Sequence, residues 1–304
     1  MKLARVIHQG HVHLALVDEG AQAVDLVDGL LAHDVNPVLA VIERRIGKEE
    51  LLNAVVMRVA FGEVSFLSPL SQLVRNVFAV GKNYVDHARE FDASGLNATS
   101  GATAVPSAPQ IFTKATTSLA GPTDAIVFDE GTTSAVDYEG EIGVIVAQEC
   151  RNVPESQALE KVFGFVALND VTARDLQRNH VQWFLGKSLD TFCPVGPWIT
   201  TLDQAPIESL RVQAWVNDEL RQDAPLSDLI FGVPSLIATL SSVMTLLPGD
   251  IIATGTPAGV GAAFSPPRFL QDGDVVRVSA SGLGELRNVV VSRPFLPVRG
   301  QSRA

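Results

Sequence analysis

The sequence predicts an α+β, strand-rich chain in which a small N-terminal unit precedes a larger one. Short runs of β-branched and apolar residues recur between clusters of glycine, proline, asparagine and aspartate, the pattern of strands separated by turns. Only a few segments carry helical spacing. The character of the chain also changes after about residue 72, so that residues 1–72 read as a small N-terminal domain and 73–304 as the main one. A chain of 304 residues has the length of one large domain or of one and a half.

Taken in order, Arg5 to Val17 and Ala23 to Val27 read as short strands around an Asp/Glu/Gly turn. Pro37 to Arg45 reads as a helix, with Asn36 as its cap and proline at its first position. His8, His11 and His13 cluster nearby without a carboxylate at metal spacing, and read as surface histidines. Asn76 to Gly81 is a short strand, and Lys82 to Glu90 has helical composition. Asp92 to Pro109 holds small residues, glycine and proline with little to bury, the composition of a mobile loop; placed directly after a candidate base it reads either as a lid over substrate or as a plain surface loop. Pro109 to Leu119 resumes as strand and turn with one basic residue, Lys114. Asp137 to Val146 (DYEGEIGVIV) is a strand apolar on both faces beyond its acidic start, hence buried on both sides. Glu160 to Asp170 is a second such strand, followed by a helical turn from Thr172 to Gln177. Val212 to Leu220 is a strand entering a turn at Asn217-Asp218. Leu229 to Gly249 carries no formal charge over 21 residues. Its Gly, Pro, Ser and Thr content, and the three- and four-residue steps of Leu236, Leu240, Val243 and Leu247, mark a buried amphipathic helix rather than a membrane span. Asp250 to Gly261 is a strand running into a glycine-rich loop, and Gly273 to Ser279 a turn and strand.

The composition, 46% apolar and 19% charged, is that of a soluble globular protein. A formal net charge of -11 argues against non-specific binding to nucleic acid or to an anionic membrane. Cys150 and Cys193 are far apart and form no C-x-x-C, which suits a reduced, cytoplasmic setting. The glycine-rich loop lacks the Gly-Lys-Ser/Thr of a phosphate loop, and G-x-G-x-x-G is absent from the sequence.

The chemistry-bearing residues gather at strand ends. Glu139 and Glu141 are two apart on one strand and so share a face. Two carboxylates about 5–6 Å apart at an effective dielectric near 20 repel by roughly 3 kcal/mol. Such a pair persists if one holds a proton, if a cation sits beside it, or if the strand end is wet. A bound divalent metal is the economical answer, because oxygen ligands suit Mg²⁺, Mn²⁺ or Ca²⁺. Asn169-Asp170 puts a third carboxylate at a strand terminus. His87 and Glu90 are three apart on a predicted helix, where a carboxylate can orient an imidazole as a general base. Arg174 and Gln177 share a face, and Arg174 can fork onto a carboxylate. Lys187 lies between Gly186 and Ser188 in an aromatic-rich segment. Thr254 or Thr256 can offer a hydroxyl to a carboxylate.

Five segments occur in a fixed order: GKNYVDHARE, DYEGEIGVIV, GFVALNDVTARDLQ, GKSLDTFCPVGPW and LLPGDIIATGTPAGVG. Together they resemble the fumarylacetoacetate hydrolase family, including acylpyruvate hydrolases and 2-hydroxyhepta-2,4-diene-1,7-dioate isomerases, over roughly residues 76 to 295. The resemblance implies a mixed β-sandwich or roll with a small, variable front domain, assembled as a homodimer. It implies that Glu139, Glu141 and Asp170 hold Mg²⁺ or Mn²⁺, and that His87 and Glu90 form a catalytic dyad with Lys187 as the active-site lysine. Arg174, Gln177 and Thr256 match positions that touch the substrate. The implied activity is metal-dependent hydrolysis of a C–C bond in a 2,4-dioxo acid through a metal-bound enolate, as in aromatic compound catabolism. The alternative is isomerisation or decarboxylation of hydroxymuconate-type or oxaloacetate-like 2-oxo acids at the same metal. Two departures bear on substrate choice. Lys82 stands where the family often has leucine or arginine, and the loop from Asp92 to Pro109 is longer than in many members.

Overall fold

A computed structural model describes residues 1–31, 34–93 and 105–294. Two hairpin-linked strands open it, β1 (Lys2–His8) and β2 (His11–Asp18), with β3 (Ala23–Val27) pairing antiparallel to β2. Helices α1 (Pro37–Arg44) and α2 (Lys48–Asn53) then lead to β4 (Val55–Ala60) and the short β5 (Ser65–Leu67). Asn36 does not cap α1 through its side chain. Its amide donates to the Gln72 carbonyl, and its carbonyl oxygen accepts from Ser71 N–H, which ties the helix start to the end of the N-terminal unit. His8 is buried and contacts the Glu63 carbonyl through Nδ1, whereas His11 is exposed.

The second part begins with β6 (Val77–Gly81), α3 (Val85–Ala93) and β7 (Gln110–Lys114). Of the expected loop over the site, residues 94–104 lie outside the described residues. Next come β8 (Leu119–Ala120), β9 (Ile126–Phe128), β10 (Val136–Asp137) and β11 (Gly140–Val146). They are followed by β12 (Val162–Asn169), β13 (Thr172–Ala173), α4 (Arg174–Asn179), α5 (Phe184–Lys187) and β14 (Cys193–Thr201). The chain closes through β15 (Arg211–Val216), β16 (Glu219–Pro225), α6 (Val233–Val243), β17 (Ile251–Ala253), β18 (Val275–Ala280) and β19 (Gly284–Ser292).

Among the described residues the strands form a large mixed sheet in the order β4-β3-β2-β1-β14-β12-β11-β17-β6-β7. A five-stranded sheet, β16-β15-β18-β19-β9, packs against it. The expected domain boundary at residue 72 falls between β5 and β6. The strands before it nevertheless continue the large sheet, because Lys2 and Leu3 of β1 pair with Thr200 and Ile199 of β14. The main core lies between the sheets, where Ile142, Val144 and Phe165 meet Val212, Val278 and Leu286. Every residue of β11 is buried, as a strand covered on both faces requires.

Asn217 and Asp218 both take left-handed backbone (φ 48° and 67°) and turn β15 tightly into β16, the conformation of a two-residue hairpin loop. The uncharged segment forms the eleven-residue α6, which buries Val233, Leu236, Ile237 and Leu240 in the main core. Val243, expected on that face, is 68% exposed because the helix ends there. Among the described residues no helix is long and apolar enough to cross a membrane. Both cysteines are buried and free.

Candidate active site

The register of β11 on β12 builds the acidic cluster. Gly140 pairs with Asn169, so the residues just outside the ladder, Glu139 and Asp170, are brought opposite each other. Asp170 N–H donates to the Glu139 carbonyl at 2.8 Å, and the Asn169 side-chain oxygen accepts from Glu139 N–H at 3.0 Å. These bonds divert the chain at Tyr138-Glu139. The stretch from Asp137 to Val146, expected as one strand, is therefore divided into β10, which pairs with β13, and β11. Oxygen atoms of Glu139, Glu141 and Asp170 all lie within 4.8 Å of one another, and all three residues are buried.

Three buried cations hold this cluster together. Lys187 Nζ, at the end of α5, lies 2.7 Å from both Glu139 Oε2 and Asp170 Oδ2. Lys114 Nζ, at the end of β7, lies 2.6 Å from Asp170 Oδ1 and also donates to the carbonyls of Val171 and Lys187. Arg174 binds Glu139 Oε1 at 2.7 Å and, through Nε, Asp137 Oδ2 at 2.8 Å. Asp137 also accepts the backbone N–H groups of Gly261 and Ala262, which anchors the glycine-rich loop.

Among the described residues, Lys114, Arg174 and Lys187 are ion-paired with Asp137, Glu139 and Asp170. Glu141 is ion-paired with none of them, and it accepts from Gly255 N–H at 2.8 Å. Burial raises its pKa well above the ordinary value, and the charges of Asp170 and Glu139 raise it further. Burial also opposes ionisation of Glu139, but Lys187 and Arg174 outweigh it and hold that carboxyl below its ordinary range. Lys187 is the mirror case. Burial works against its charge, and Asp170 and Glu139 more than restore it, so its pKa is raised.

Against this cluster lies a narrow pocket lined by Lys82, His87, Phe91, Phe112, Glu139, Gln177, Trp183, Lys187 and Thr256, together with Val80 and Gly81. Gly81 is required there, since a Cβ would sit 2.3 Å from the Trp183 ring. His87, on α3, is 4% exposed, and its Nδ1 has no hydrogen-bond partner. Burial lowers its pKa to about 4; Glu139 pulls it up, whereas Arg174, Lys187 and Lys82 push it further down. Glu90 is not bonded to His87 as its spacing predicted. Its Oε2 accepts from Gly259 N–H at 2.9 Å, so it fastens α3 to the glycine-rich loop.

The expected substrate contacts divide. Arg174 stands behind Glu139, 1% exposed, and does not line the cavity. It engages Gln177 Oε1 at 3.1 Å, which fixes the orientation of that amide and turns its NH₂ away from Arg174. Thr256 lines the cavity, but its hydroxyl donates to the Gly140 carbonyl and accepts from Gln222 Nε2.

Sequence reasoning gave no role to Lys114, Asp137, Gln222 or Asn83. Lys114 carried a signal, a lone basic residue in an apolar strand, and Asp137 opens the DYEGEIGVIV segment. Gln222 carried none, because it lies in an alternating strand of the other sheet. It bonds Gly140 N–H, Thr256 and the Pro257 carbonyl, clamping both sides of the cluster. Asn83 ties the turn after β6 to Phe231 and to the Thr254 carbonyl. Lys114→Met strips donors from Asp170 and two buried carbonyls. It should destabilise the fold by about 3–5 kcal/mol, the cost of breaking a buried pair from one side, read from the chemical denaturation midpoint.

A divalent ion fits this site. The three convergent carboxylates offer an all-oxygen donor set of the kind Mg²⁺ and Mn²⁺ take, and the pKa of one of them, Glu141, is raised by burial and by the charges of Asp170 and Glu139. Neither Lys187 nor Arg174 is ion-paired with Glu141 among the described residues.

Known proteins carry the same arrangement of sequence and fold. A family model described as fumarylacetoacetate (FAA) hydrolase C-terminal matches residues 76–291. The oxaloacetate tautomerase YisK of Bacillus subtilis is 42% identical over 233 residues, which cover 76% of this chain and 74% of that protein. The fumarylacetoacetate hydrolase of the psychrophile Exiguobacterium antarcticum superposes with a TM-score of 0.82 at 40% identity, covering 96% of this chain and all (100%) of that one. The maleylpyruvate hydrolase of Sphingobium sp. SYK-6, solved in complex with manganese(II) and pyruvate, superposes with a TM-score of 0.75 at 33% identity, covering 96% and 99%. With a family match over most of its length and relatives of this identity and coverage, the chain belongs to the fumarylacetoacetate hydrolase family.

Proposed function

We propose that this chain is a divalent-metal-dependent enzyme of small 2-oxo acids that hydrolyses a C–C bond in a 2,4-dioxo acid of the acylpyruvate type. The observation that carries the reading is a cluster of three buried carboxylates, one of which, Glu139, lines the same small pocket as the buried His87. Glu139, Glu141 and Asp170 would hold Mg²⁺ or Mn²⁺, which supplies Lewis-acid stabilisation of negative charge developing on substrate oxygen. The chain's own residues do the rest. His87 takes a proton from water as the water oxygen adds to the distal carbonyl. The C–C bond then breaks, the acyl part leaves as a carboxylic acid, and His87 returns the proton to carbon 3 of the pyruvate part. Lys187 adds fixed positive charge beside the substrate, and the Gln177 amide presents N–H donors to it. Glu90 acts as a positioning residue, holding α3 and with it His87 against the glycine-rich loop.

A second reading, keto–enol exchange or decarboxylation of an oxaloacetate-like acid, is favoured by one observation: the relative of 42% identity is an oxaloacetate tautomerase. Incubation of the Mg²⁺- or Mn²⁺-loaded protein with acylpyruvates and with oxaloacetate separates the readings by product mass. Two carboxylic acids mean hydrolysis, loss of carbon dioxide means decarboxylation, and solvent deuterium at carbon 3 without cleavage means tautomerisation. Absence of metal-dependent turnover with every substrate overturns both. The expected pH profile follows from His87. Its lowered pKa keeps the imidazole in its basic form at neutral pH, so at saturating Mg²⁺ or Mn²⁺ the rate holds as pH falls through the ordinary histidine value of about 6.5 and drops near about 4.

A further inference from the structure

Gln222 is a buried amide on an edge strand. It is 1% exposed and lies on β16 opposite Ala214 of β15. Two residues on, Ala224 shares its face and is buried as well. An amide in such a place costs stability unless its polar atoms are paired. Those of Gln222 are. Its Oε1 accepts from Gly140 N–H at 2.9 Å, and its Nε2 donates to Thr256 Oγ1 at 2.7 Å and to the Pro257 carbonyl at 2.8 Å.

The Thr256 hydroxyl accepts from Gln222 and gives its own proton to the Gly140 carbonyl at 3.0 Å. The donations close a ring, from Gly140 to Gln222, from Gln222 to Thr256 and from Thr256 back to Gly140. A fully satisfied buried network of this kind is rigid. Gly140 is the residue between Glu139 and Glu141. Its missing side chain lets the second sheet approach, because a Cβ there would lie 3.2 Å from Ala214 Cβ and 3.3 Å from Gln222 Oε1. The ring reaches Glu141 a second time, since Gly255, next to Thr256, donates its N–H to Glu141 Oε2 at 2.8 Å. Gln222 itself does not line the pocket.

We propose that Gln222 is a positioning residue for the divalent ion, setting the spread and orientation of Glu139 and Glu141 from the opposing sheet. The proposal rests on the metal-dependent reading of the site and deepens it. A side chain turns with the peptide that carries it. With the ring opened, the Gly140 peptide is free to rotate and carries the carboxylates on either side of it out of alignment. Mg²⁺ demands a small, near-ideal shell, whereas Ca²⁺ accepts longer and looser ones. Losing Gln222 therefore weakens Mg²⁺ binding more than Ca²⁺ binding.

Gln222→Met keeps the length of the side chain and removes its hydrogen bonds. Calorimetric titration should show Mg²⁺ and Mn²⁺ affinity lowered about 10- to 100-fold, the range for an outer partner of a metal ligand, and Ca²⁺ affinity lowered less. The comparison is Asn288→Leu. It removes a buried amide from the same five-stranded sheet, one bonded to the carbonyls of Gly121 and Asp124 and not to the carboxylate cluster. That variant should unfold earlier in denaturant and keep native affinity for all three ions. Thr256→Val opens the same ring at another point and should reproduce the loss, whereas Thr256→Ser, which keeps the hydroxyl, should retain native affinities. This pair decides the matter if Gln222→Met does not fold. Native affinities in folded Gln222→Met, or in Thr256→Val where it stands in, overturn the proposal and leave the metal-dependent reading intact. An equal loss in Asn288→Leu, or a loss of the same size for every ion, marks general loosening and overturns it too. A native protein that binds neither Mg²⁺ nor Mn²⁺ at millimolar concentration removes that reading, and the proposal with it.

Discussion

Replacing His87 with asparagine should lower kcat by about 10²- to 10⁴-fold, the range that a general base supplies, with little effect on Mg²⁺ or Mn²⁺ affinity. His87 approaches the cavity from α3, whereas the carboxylates come from the junctions around β11 and β12, so losing the imidazole leaves the acidic cluster and its three cations in place. The imidazole is also uncharged at neutral pH, so its removal leaves the charge around the carboxylates unaltered. The fold itself should gain stability in acid. The folded-state pKa of about 4 lies below the ordinary value of about 6.5, so the unfolded chain takes up a proton there more readily. The native protein therefore loses stability as pH falls from about 6.5 toward about 4, and the asparagine variant lacks that loss. Single-turnover rates, metal titration and thermal midpoints at pH 7 and pH 5 read the three effects separately. Full activity in the variant removes His87 from the chemistry.

Glu139, Glu141 and Asp170 were legible from sequence because strand geometry is local. A period of two puts the glutamates on one side, and a buried strand that ends in Asn-Asp places its last carboxylate at the strand terminus. Their meeting depends only on one antiparallel register, Gly140 opposite Asn169. His87 and Glu90 show the limit of the same logic. Helical spacing placed both on α3, but spacing is silent about competitors, and the Gly259 N–H, 169 positions away, takes the carboxylate. Arg174 was expected to fork onto a carboxylate and does so, though onto Asp137 and Glu139 rather than into the cavity. Gln222 was invisible because its three partners lie in other strands and loops. The join between the N-terminal strands and the main sheet was equally hidden, because Lys2 pairs with Thr200, far along the chain. What the sequence concealed was long-range competition for hydrogen bonds, which no periodicity encodes.

Glu141→Gln should abolish tight metal binding and metal-dependent turnover while costing the ion-free fold little or nothing. Most substitutions in this cluster strand a buried charge. Asp170→Asn, for example, leaves two lysines without a full partner and should cost several kcal/mol. Glu141 differs because no cation is ion-paired with it among the described residues, and burial raises its pKa, which favours the protonated form. Glutamine has the shape and charge of that form, and its carbonyl oxygen can still accept the Gly255 N–H. For a carboxyl whose folded pKa lies above its unfolded one, stability is fully present below the unfolded value and declines as pH rises toward the folded one. Above the ordinary glutamate range the ion-free glutamine variant should therefore match or exceed the native thermal midpoint. Added Mg²⁺ or Mn²⁺ should reverse the order, raising the native midpoint alone, because an ion that binds only the folded state stabilises it. Because a ligating carboxylate is deprotonated and the Glu141 pKa is raised, native metal affinity should rise with pH, and titrations in buffers of different ionisation enthalpy should register proton release. A variant that still binds the ion with native affinity, or a native protein that binds it without pH dependence, would take Glu141 out of the ligand set.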